Sequence, residues 1–166
     1  MRIRSLLTAL LALTVTGLSA QTPAPWVLVL PAENQTGNPS LDPIGSTVAD
    51  TISLTLRLIG DFEIREVPAD QIPDAVVAGD PAALREFAEE QTMDYIVFGA
   101  VRSTDNGFDI EAAVWDRGAD EITVRETGTA TSLFSTFEVT DQLAADFLGA
   151  FSGQRIAFGR IRLQRE

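Results

Sequence analysis

The sequence predicts a single α/β domain in which helices pack on a mixed β-sheet, with the element order β-α-β-α-β-β-β-α-β. In the first half, strand-like runs alternate with helix-like stretches, as in parallel strands joined by crossover helices. In the second half, three strand-like runs follow one another with short turns between them, as in an antiparallel meander. A chain with both patterns needs a sheet that contains parallel and antiparallel strands.

The first strand and helix are clearly delimited. Residues 26–30 are apolar without interruption, as in a strand covered on both faces. Residues 31–41 form a loop rich in turn formers. Asp42 and Pro43 suit the cap and first position of a helix, and Gly60 suits its end. Apolar residues at three- and four-residue spacing predict the buried face of this helix: Ile44, Val48, Ile52, Leu56 and Ile59.

The middle of the chain predicts a second strand and helix and then a central strand. Residues 62–65 alternate like a strand. Asp80 and Pro81 repeat the Asp-Pro opening and begin a helix over residues 81–91. Residues 95–101 are rich in β-branched and aromatic side chains, which favours a strand at the centre of the sheet.

The meander is predicted by its turns. Asn106-Gly107 is a strong hairpin signal, because both residues tolerate positive φ. After it, residues 108–114 alternate between apolar and acidic side chains, so we expect one face of that strand to meet solvent. Residues 117–120 turn the chain again, and Ile122 begins the third strand of the meander.

The carboxyl-terminal part predicts a helix and a final strand. Ser135 and Glu138 have the spacing of a capping box that starts a helix over about 136–151. Gly153 suits the end of that helix. Residues 156–163 are then predicted to form the last strand, with Gly159 at a bulge.

The amino terminus has the pattern of an export signal. Arg2 and Arg4 precede an apolar run over residues 6–18, which is shorter than the roughly 20 residues that span a bilayer. Ala20 suits the cleavage site, and Gln21 stands where a lipoprotein needs Cys. We therefore expect a periplasmic or secreted protein with no membrane anchor after cleavage. The predicted segments are a signal peptide over 1–20, a lead-in over 21–25 and the α/β domain over 26–166.

Composition excludes several kinds of chemistry. The 166 residues include no His and no Cys, and all 12 basic residues are Arg. Because His, Cys and Lys are absent, the protein has no imidazole or thiolate nucleophile and no lysine that could form a Schiff base. The 24 acidic residues against 10 Arg after residue 20 give a formal charge of −14, which disfavours nucleic acid. We expect no cofactor and no metal.

One stretch resembles a known family. Residues 29–38 read Val-Leu-Pro-Ala-Glu-Asn-Gln-Thr-Gly-Asn and precede a helix that contains Ile44 and Gly45. This strand, Pro-x-x-Asn-x-Thr-Gly loop and helix are similar to the amino-terminal-domain family of TolB and its relatives. Residues 94–102 and the hairpin through residues 110–116 resemble the central strand pair of that family. The resemblance extends over about residues 26–152 and implies a non-catalytic interaction module of the bacterial cell envelope.

The candidate site is the loop that follows the first strand. Ligands of open α/β sheets bind at the carboxyl ends of strands, which is where this loop lies. A carboxylate at Asp42 would repel phosphate, so a nucleotide site is disfavoured. Two interpretations stay open: an ordinary turn with self-bonded Asn side chains, and a protein-contact loop. In the second, the partner-binding residues are Asn34, Gln35, Thr36 and Asn38.

The sequence thus predicts an exported, non-enzymatic protein-interaction or assembly module of the cell envelope. Its expected partners are envelope proteins, and self-association into a homo-oligomer stays open. The alternative is a carboxylate-dependent glycan hydrolase, which would need two acids in different environments across a cleft. The acids available to it cluster around the meander: Asp109, Glu111, Asp116, Asp120, Glu121 and Glu126.

Overall fold

The computed structural model describes residues 23–59 and 62–163, without the side chains of Ile59 and of residues 154–163. The predicted signal peptide over 1–20 and the helix end at Gly60 lie outside the described residues. Residues 23–25 of the predicted lead-in have no regular secondary structure.

A six-stranded mixed sheet forms the centre of the structure, with strand order β3-β1-β4-β5-β6 and β2 beside β4. β1 pairs in parallel with β3 and β4, and β2 pairs in parallel with β4. β4, β5 and β6 form the predicted antiparallel meander. The predicted α/β fold class is confirmed. The strands are β1 (Trp26–Val29), β2 (Glu33–Asn34), β3 (Glu63–Ile64), β4 (Tyr95–Thr104), β5 (Gly107–Asp116) and β6 (Glu121–Ala130).

Helices cover both faces of the sheet. They are α1 (Asp42–Ile59), α2 (Asp74–Val77), α3 (Pro81–Glu90) and α4 (Ser135–Leu163), with short 3-10 turns at Pro39–Leu41 and Ala69–Gln71. One buried cluster joins α1 and α4 to the sheet, and a second joins α2 and α3 to the opposite face. The alternating side chains of the central strands supply both clusters: Val97 belongs to the first, Ile96 and Phe98 to the second.

Aromatic side chains fix α4 on the sheet. Phe151 stacks on Phe62 with ring centroids 5.0 Å apart and meets the edge of Tyr95 at 4.9 Å. Phe147, one turn earlier, is fully buried and lies 6.0 Å from Phe151. Phe62 precedes β3 and Tyr95 begins β4, so this cluster joins the helix to the parallel half of the sheet.

The predicted final strand over residues 156–163 is wrong, because α4 continues as a helix through Leu163. Gly153 does not end the helix and Gly159 is not at a bulge. A single glycine inside a helix costs only about 1 kcal/mol relative to alanine. The surrounding Gln, Arg, Ala and Leu residues are good helix formers, and a short apolar run fits helical and strand periods alike.

Candidate functional site

The candidate loop lies at the carboxyl end of β1, against β4. Glu33 and Asn34 of β2 pair with Ala100 and Val101 of β4. The Gln35 N–H then donates to the Val101 carbonyl oxygen at 2.9 Å. The predicted loop is therefore held to the central strand by its backbone.

Asn34 is the centre of a closed hydrogen-bond network. Its Oδ1 accepts from the Thr36 N–H at 3.0 Å and from Thr36 Oγ1 at 2.6 Å. Its Nδ2 donates to the Asn38 carbonyl oxygen at 2.8 Å and to Asp42 Oδ1 at 2.6 Å. Thr36 Oγ1 also accepts from the Asn38 N–H at 3.1 Å. Asn34 and Thr36 thus hold the turn closed, as in the self-bonded interpretation.

The predicted cap of α1 at Asp42 is wrong, and Asn38 is a cap that the sequence did not indicate. Asp42 already has helical dihedral angles, so it is the first residue of α1 and not its cap. Asn38 caps the preceding 3-10 turn instead, because its Oδ1 accepts from the Ser40 N–H at 3.1 Å. The freed Asp42 carboxylate binds Asn34, which ties the loop to the start of the helix.

Gln35 is exposed and contacts the side chain of Arg102 on the neighbouring strand β4. Its Nε2 donates to Glu33, and its Oε1 accepts from Arg102 Nε at 3.0 Å. Arg102 Nη1 in turn donates to Glu111 Oε2 at 2.9 Å, and the other oxygen of Glu111 binds Arg125. The four predicted residues share one loop, but Gln35 and Asn38 are its exposed members.

The row of Arg102, Glu111 and Arg125 was missed by sequence reasoning. The Glu111 side chain is only 12% exposed, and both its oxygens are engaged by guanidinium groups. The hairpin turns at residues 105–106, one residue before the predicted Asn106-Gly107 pair, and this turn sets Arg102 opposite Asp109 and Ala100 opposite Glu111. That register brings Arg102 diagonally next to Glu111 on the same face of the sheet.

Three other acids of the hydrolase alternative are engaged in local contacts. Asp109 accepts a hydrogen bond from Thr129 Oγ1 at 2.7 Å, and Asp116 caps the turn between β5 and β6. Asp120 binds Arg85 Nε at 2.6 Å, and this hydrogen bond raises the pKa of the Arg85 guanidinium above its usual value. These three acids are therefore distributed over two turns and the sheet surface.

Asp94 is a second residue that sequence reasoning missed. Its Oδ2 accepts from the Trp26 N–H at 2.9 Å, and its Oδ1 binds Arg117 Nη2 at 2.6 Å. One side chain therefore joins the start of β1 to the turn between β5 and β6. Trp26 is further held by Arg65, whose guanidinium carbon lies 5.1 Å from the centre of the Trp26 ring.

An open groove of about 520 Å³ runs along the β1 edge of the sheet. Its walls come from the end of β1, from α1 and from the segment after β3. Its acids are Asp50 and Glu66, and Glu66 pairs with Arg57 at 3.4 Å.

The described part of the chain lacks two features, one needed to ligate a metal ion and one needed to cross a membrane. Residues 23–59 and 62–163 contain no cluster of three or more acidic side chains suited to hold a metal ion. No helix within them combines the length and the apolar character that crossing a bilayer requires.

The fold and its loop define a small α/β module with a mixed sheet between two helical layers, and solved structures share this fold. The C-terminal domain of LpoB from Escherichia coli matches with a TM-score of 0.50 and 14% identity, over 70% of this chain and 90% of that one. TolB from Acinetobacter baumannii matches with a TM-score of 0.50 and 17% identity, over 80% of this chain. That match spans 29% of TolB, so the likeness is to one part of it.

A third match is the PelC dodecamer from Paraburkholderia phytofirmans, with a TM-score of 0.50 and 21% identity, over 76% of this chain and 88% of that one. At such identities the likeness establishes the fold, and the predicted resemblance to a TolB-like fold is confirmed. No protein-family model matches the sequence, and no curated protein matches it significantly.

Proposed function

We propose that this protein is exported and acts as a non-enzymatic protein-interaction or assembly module of the bacterial cell envelope. The fold that it shares with part of TolB carries the proposal, because the resemblance to the TolB amino-terminal-domain family implies such a module. The basic and apolar start of the sequence supports removal of residues 1–20 and a periplasmic or secreted location. The domain proper then extends over 26–166, after the lead-in at 21–25.

The proposed contact surface is the loop of Asn34, Gln35, Thr36 and Asn38, with divided roles. Asn34 and Thr36 hold the loop shape through their mutual hydrogen bonds. Gln35 and Asn38 expose their side chains to a partner. A loop that is closed by its own hydrogen bonds loses little conformational entropy on binding, which favours recognition by a preformed surface.

A photo-crosslinking amino acid at position 35 tests this surface. In living cells we expect irradiation to join the variant to a discrete envelope protein. The matched control carries the same amino acid at Asp141, an exposed position on α4. If position 141 gives the same products, or position 35 gives none, the loop is not the contact surface.

The hydrolase alternative makes a direct counter-prediction. A glycan hydrolase would release reducing ends from purified cell-wall glycan, and a binding module would not. We expect no release, because Asp109, Glu111, Asp116 and Asp120, four of the six meander acids, are held in ion pairs, a turn and a threonine contact. Release that disappears in an Asp109→Asn or Glu111→Gln variant would replace the binding proposal with catalysis.

Self-association is a second form of assembly, and one solved structure of similar fold supports it. The PelC structure of similar fold is a dodecamer. Light scattering of the purified protein over a range of concentrations measures whether this chain also assembles with itself. A mass that stays at one chain would restrict the proposal to other partners.

A further inference from the structure

β1 is paired over different lengths on its two edges. Toward β4 the pairing continues to Val29, and the Leu30 N–H donates to the Val97 carbonyl oxygen at 2.8 Å. Toward β3 it ends at Val27, whose carbonyl oxygen accepts from the Arg65 N–H at 2.9 Å. Successive residues of a strand direct their backbone groups to opposite edges, so the N–H and C=O of Val29 face the β3 side. In the described part of the chain, no segment pairs with β1 there.

The groove occupies the place that β3 vacates. Val29 and Ile64 pack with the cluster on the α1 face, whereas Val67 and Ile72 pack with the cluster on the opposite face. All four line the groove. The groove therefore lies in the plane of the sheet, between the two helical layers, where a further strand would continue the sheet. Its volume of about 520 Å³ is within the range of peptide- and ligand-sized sites.

The rim of the groove presents apolar surface to solvent. Leu54 of α1 lines the groove and is 59% exposed. Val67 and Ile72 on the other wall are half-buried. An apolar side chain of an added strand would cover these residues, as alternate side chains do in strand-addition complexes.

Charge indicates which segment fits. Asp50 lines the groove and has no ion pair among the described residues. The other charged groups of the lining are engaged: Arg57 pairs with Glu66 at 3.4 Å, and Arg65 donates to the Gln91 carbonyl oxygen and lies over the Trp26 ring, which leaves the Asp50 carboxylate as the unpaired charge among the described lining residues. The formal charge of −14 after residue 20 also attracts a positively charged partner over longer distances. The complementary segment carries basic residues.

We propose that this groove binds an extended, basic segment of a partner protein, which adds to the sheet as a strand beside β1. The backbone of Val29 pairs with the added strand, Leu54 is covered by an apolar side chain, and Asp50 meets a basic one. The inference rests on the proposed protein-binding function but uses a surface other than the loop of residues 34–38.

Short synthetic peptides test the mode of binding. The probe is acetyl-Lys-Val-Thr-Val-Lys-amide, added to the purified protein and followed by NMR. We expect it to shift the Val29 amide resonance and to slow hydrogen exchange at that amide. The same peptide with Glu in place of Lys should bind roughly tenfold more weakly, because Asp50 then faces a like charge.

Backbone methylation of the probe separates strand addition from simple apolar contact. Only one edge of an added strand pairs with β1, and alternate residues point to that edge. N-methylation of Thr and N-methylation of both Val residues should therefore differ, with one weakening binding roughly tenfold and the other having little effect. Equal effects of the two methylated peptides would contradict strand addition.

Two leucines on α1 provide matched variants. Leu54→Glu places a charge on the rim and should weaken binding of the Lys probe roughly tenfold. Leu58→Glu makes the same change one turn later, at a side chain 76% exposed that does not line the groove, and should leave binding unchanged. Asp50→Lys should reverse the preference between the Lys and Glu probes.

Four outcomes would overturn the proposal: no binding of the Lys probe, equal effects of the two methylated peptides, equal weakening by both leucine variants, or shifts confined to residues 34–38. None of them alters the crosslinks expected from position 35, so this proposal and the proposed loop surface fail independently. Absence of both would remove the protein-binding function itself.

Discussion

The two halves of the sheet differ in how completely their backbones are paired. β4 and β5 pair along their whole length, from Tyr95 opposite Asp116 to Thr104 opposite Gly107. β1 and β3 share two residue pairs. The free energy of local opening varies over a structure in the same way, because long, buried pairs of strands open only with the whole domain and short pairs can open by themselves. The antiparallel half therefore holds the fold, and the parallel half keeps backbone groups available for contact.

Removing the packing of α4 should have the largest effect on stability. Phe147→Ala should lower the free energy of unfolding by about 3–5 kcal/mol, because the side chain is fully buried and its loss leaves a cavity. Urea unfolding followed by circular dichroism measures it. Phe137→Ala is the control on the same helix, since Phe137 is 67% exposed. Similar losses from the two variants would show that α4 does not hold the core.

Two glycines inside helices should respond to alanine with opposite signs. A Cβ on Gly45 of α1 would meet the backbone carbonyl of Ala32, so Gly45→Ala should destabilise by about 1–3 kcal/mol. A Cβ on Gly149 of α4 meets nothing within 4 Å, so Gly149→Ala should stabilise by up to about 1 kcal/mol. Thermal melts of both variants measure the signs. A stabilising Gly45→Ala would mean that α1 is not held close to the segment after β1, and a destabilising Gly149→Ala would contradict the open space beside α4.

Asp94 joins the two halves, so its removal should loosen the connection between them. Asp94→Ala breaks the bonds to the Trp26 N–H and to Arg117, which should lower stability by about 1.5–3 kcal/mol. In native-state hydrogen exchange, the variant should accelerate exchange in β1 more than in β5, relative to the wild-type protein. Asp141→Ala, an exposed acid on α4, is the control with little expected effect. Uniform acceleration over both strands would indicate that the halves open as one unit.

The smallest effect is expected in the loop. Asn34→Ala removes the bonds to Thr36, Asn38 and Asp42 and should destabilise by about 1 kcal/mol, because the loop is near solvent. Gln35→Ala, which removes contacts at the surface, should leave the melting temperature nearly unchanged. Differential scanning calorimetry compares them. A larger loss of stability from Gln35→Ala than from Asn34→Ala would show that the contact between Gln35 and Arg102 holds the loop.

The antiparallel half was the more predictable of the two. Asn106-Gly107 marks where the hairpin turns, although the two turn residues are Asp105 and Asn106 and Gly107 already pairs with Thr104. Asp80 is also recognisable, and its Oδ1 caps α3 by accepting from the Ala82 and Ala83 N–H groups at 3.0 and 2.9 Å. Such signals are local in sequence, so they need no knowledge of the remaining structure.

The site was less predictable because its parts meet only in three dimensions. The Asn34 turn follows from local side-chain to backbone bonding, but the Asp42 partner required the 3-10 turn that carries Asn38. The groove depends on where β3 leaves β1. Pro68, which has no N–H to continue a ladder, is the one sequence signal near that point.

The two tryptophans lie in different halves of the sheet and in different surroundings. Trp26 at the start of β1 is 37% exposed beneath the Arg65 guanidinium, whereas Trp115 in β5 is 2% exposed. A neutral quencher such as acrylamide can reach the first indole and is excluded from the second. Intrinsic fluorescence therefore contains two separable signals, and the quenched fraction follows the parallel edge while the protected fraction follows the meander, with no added label.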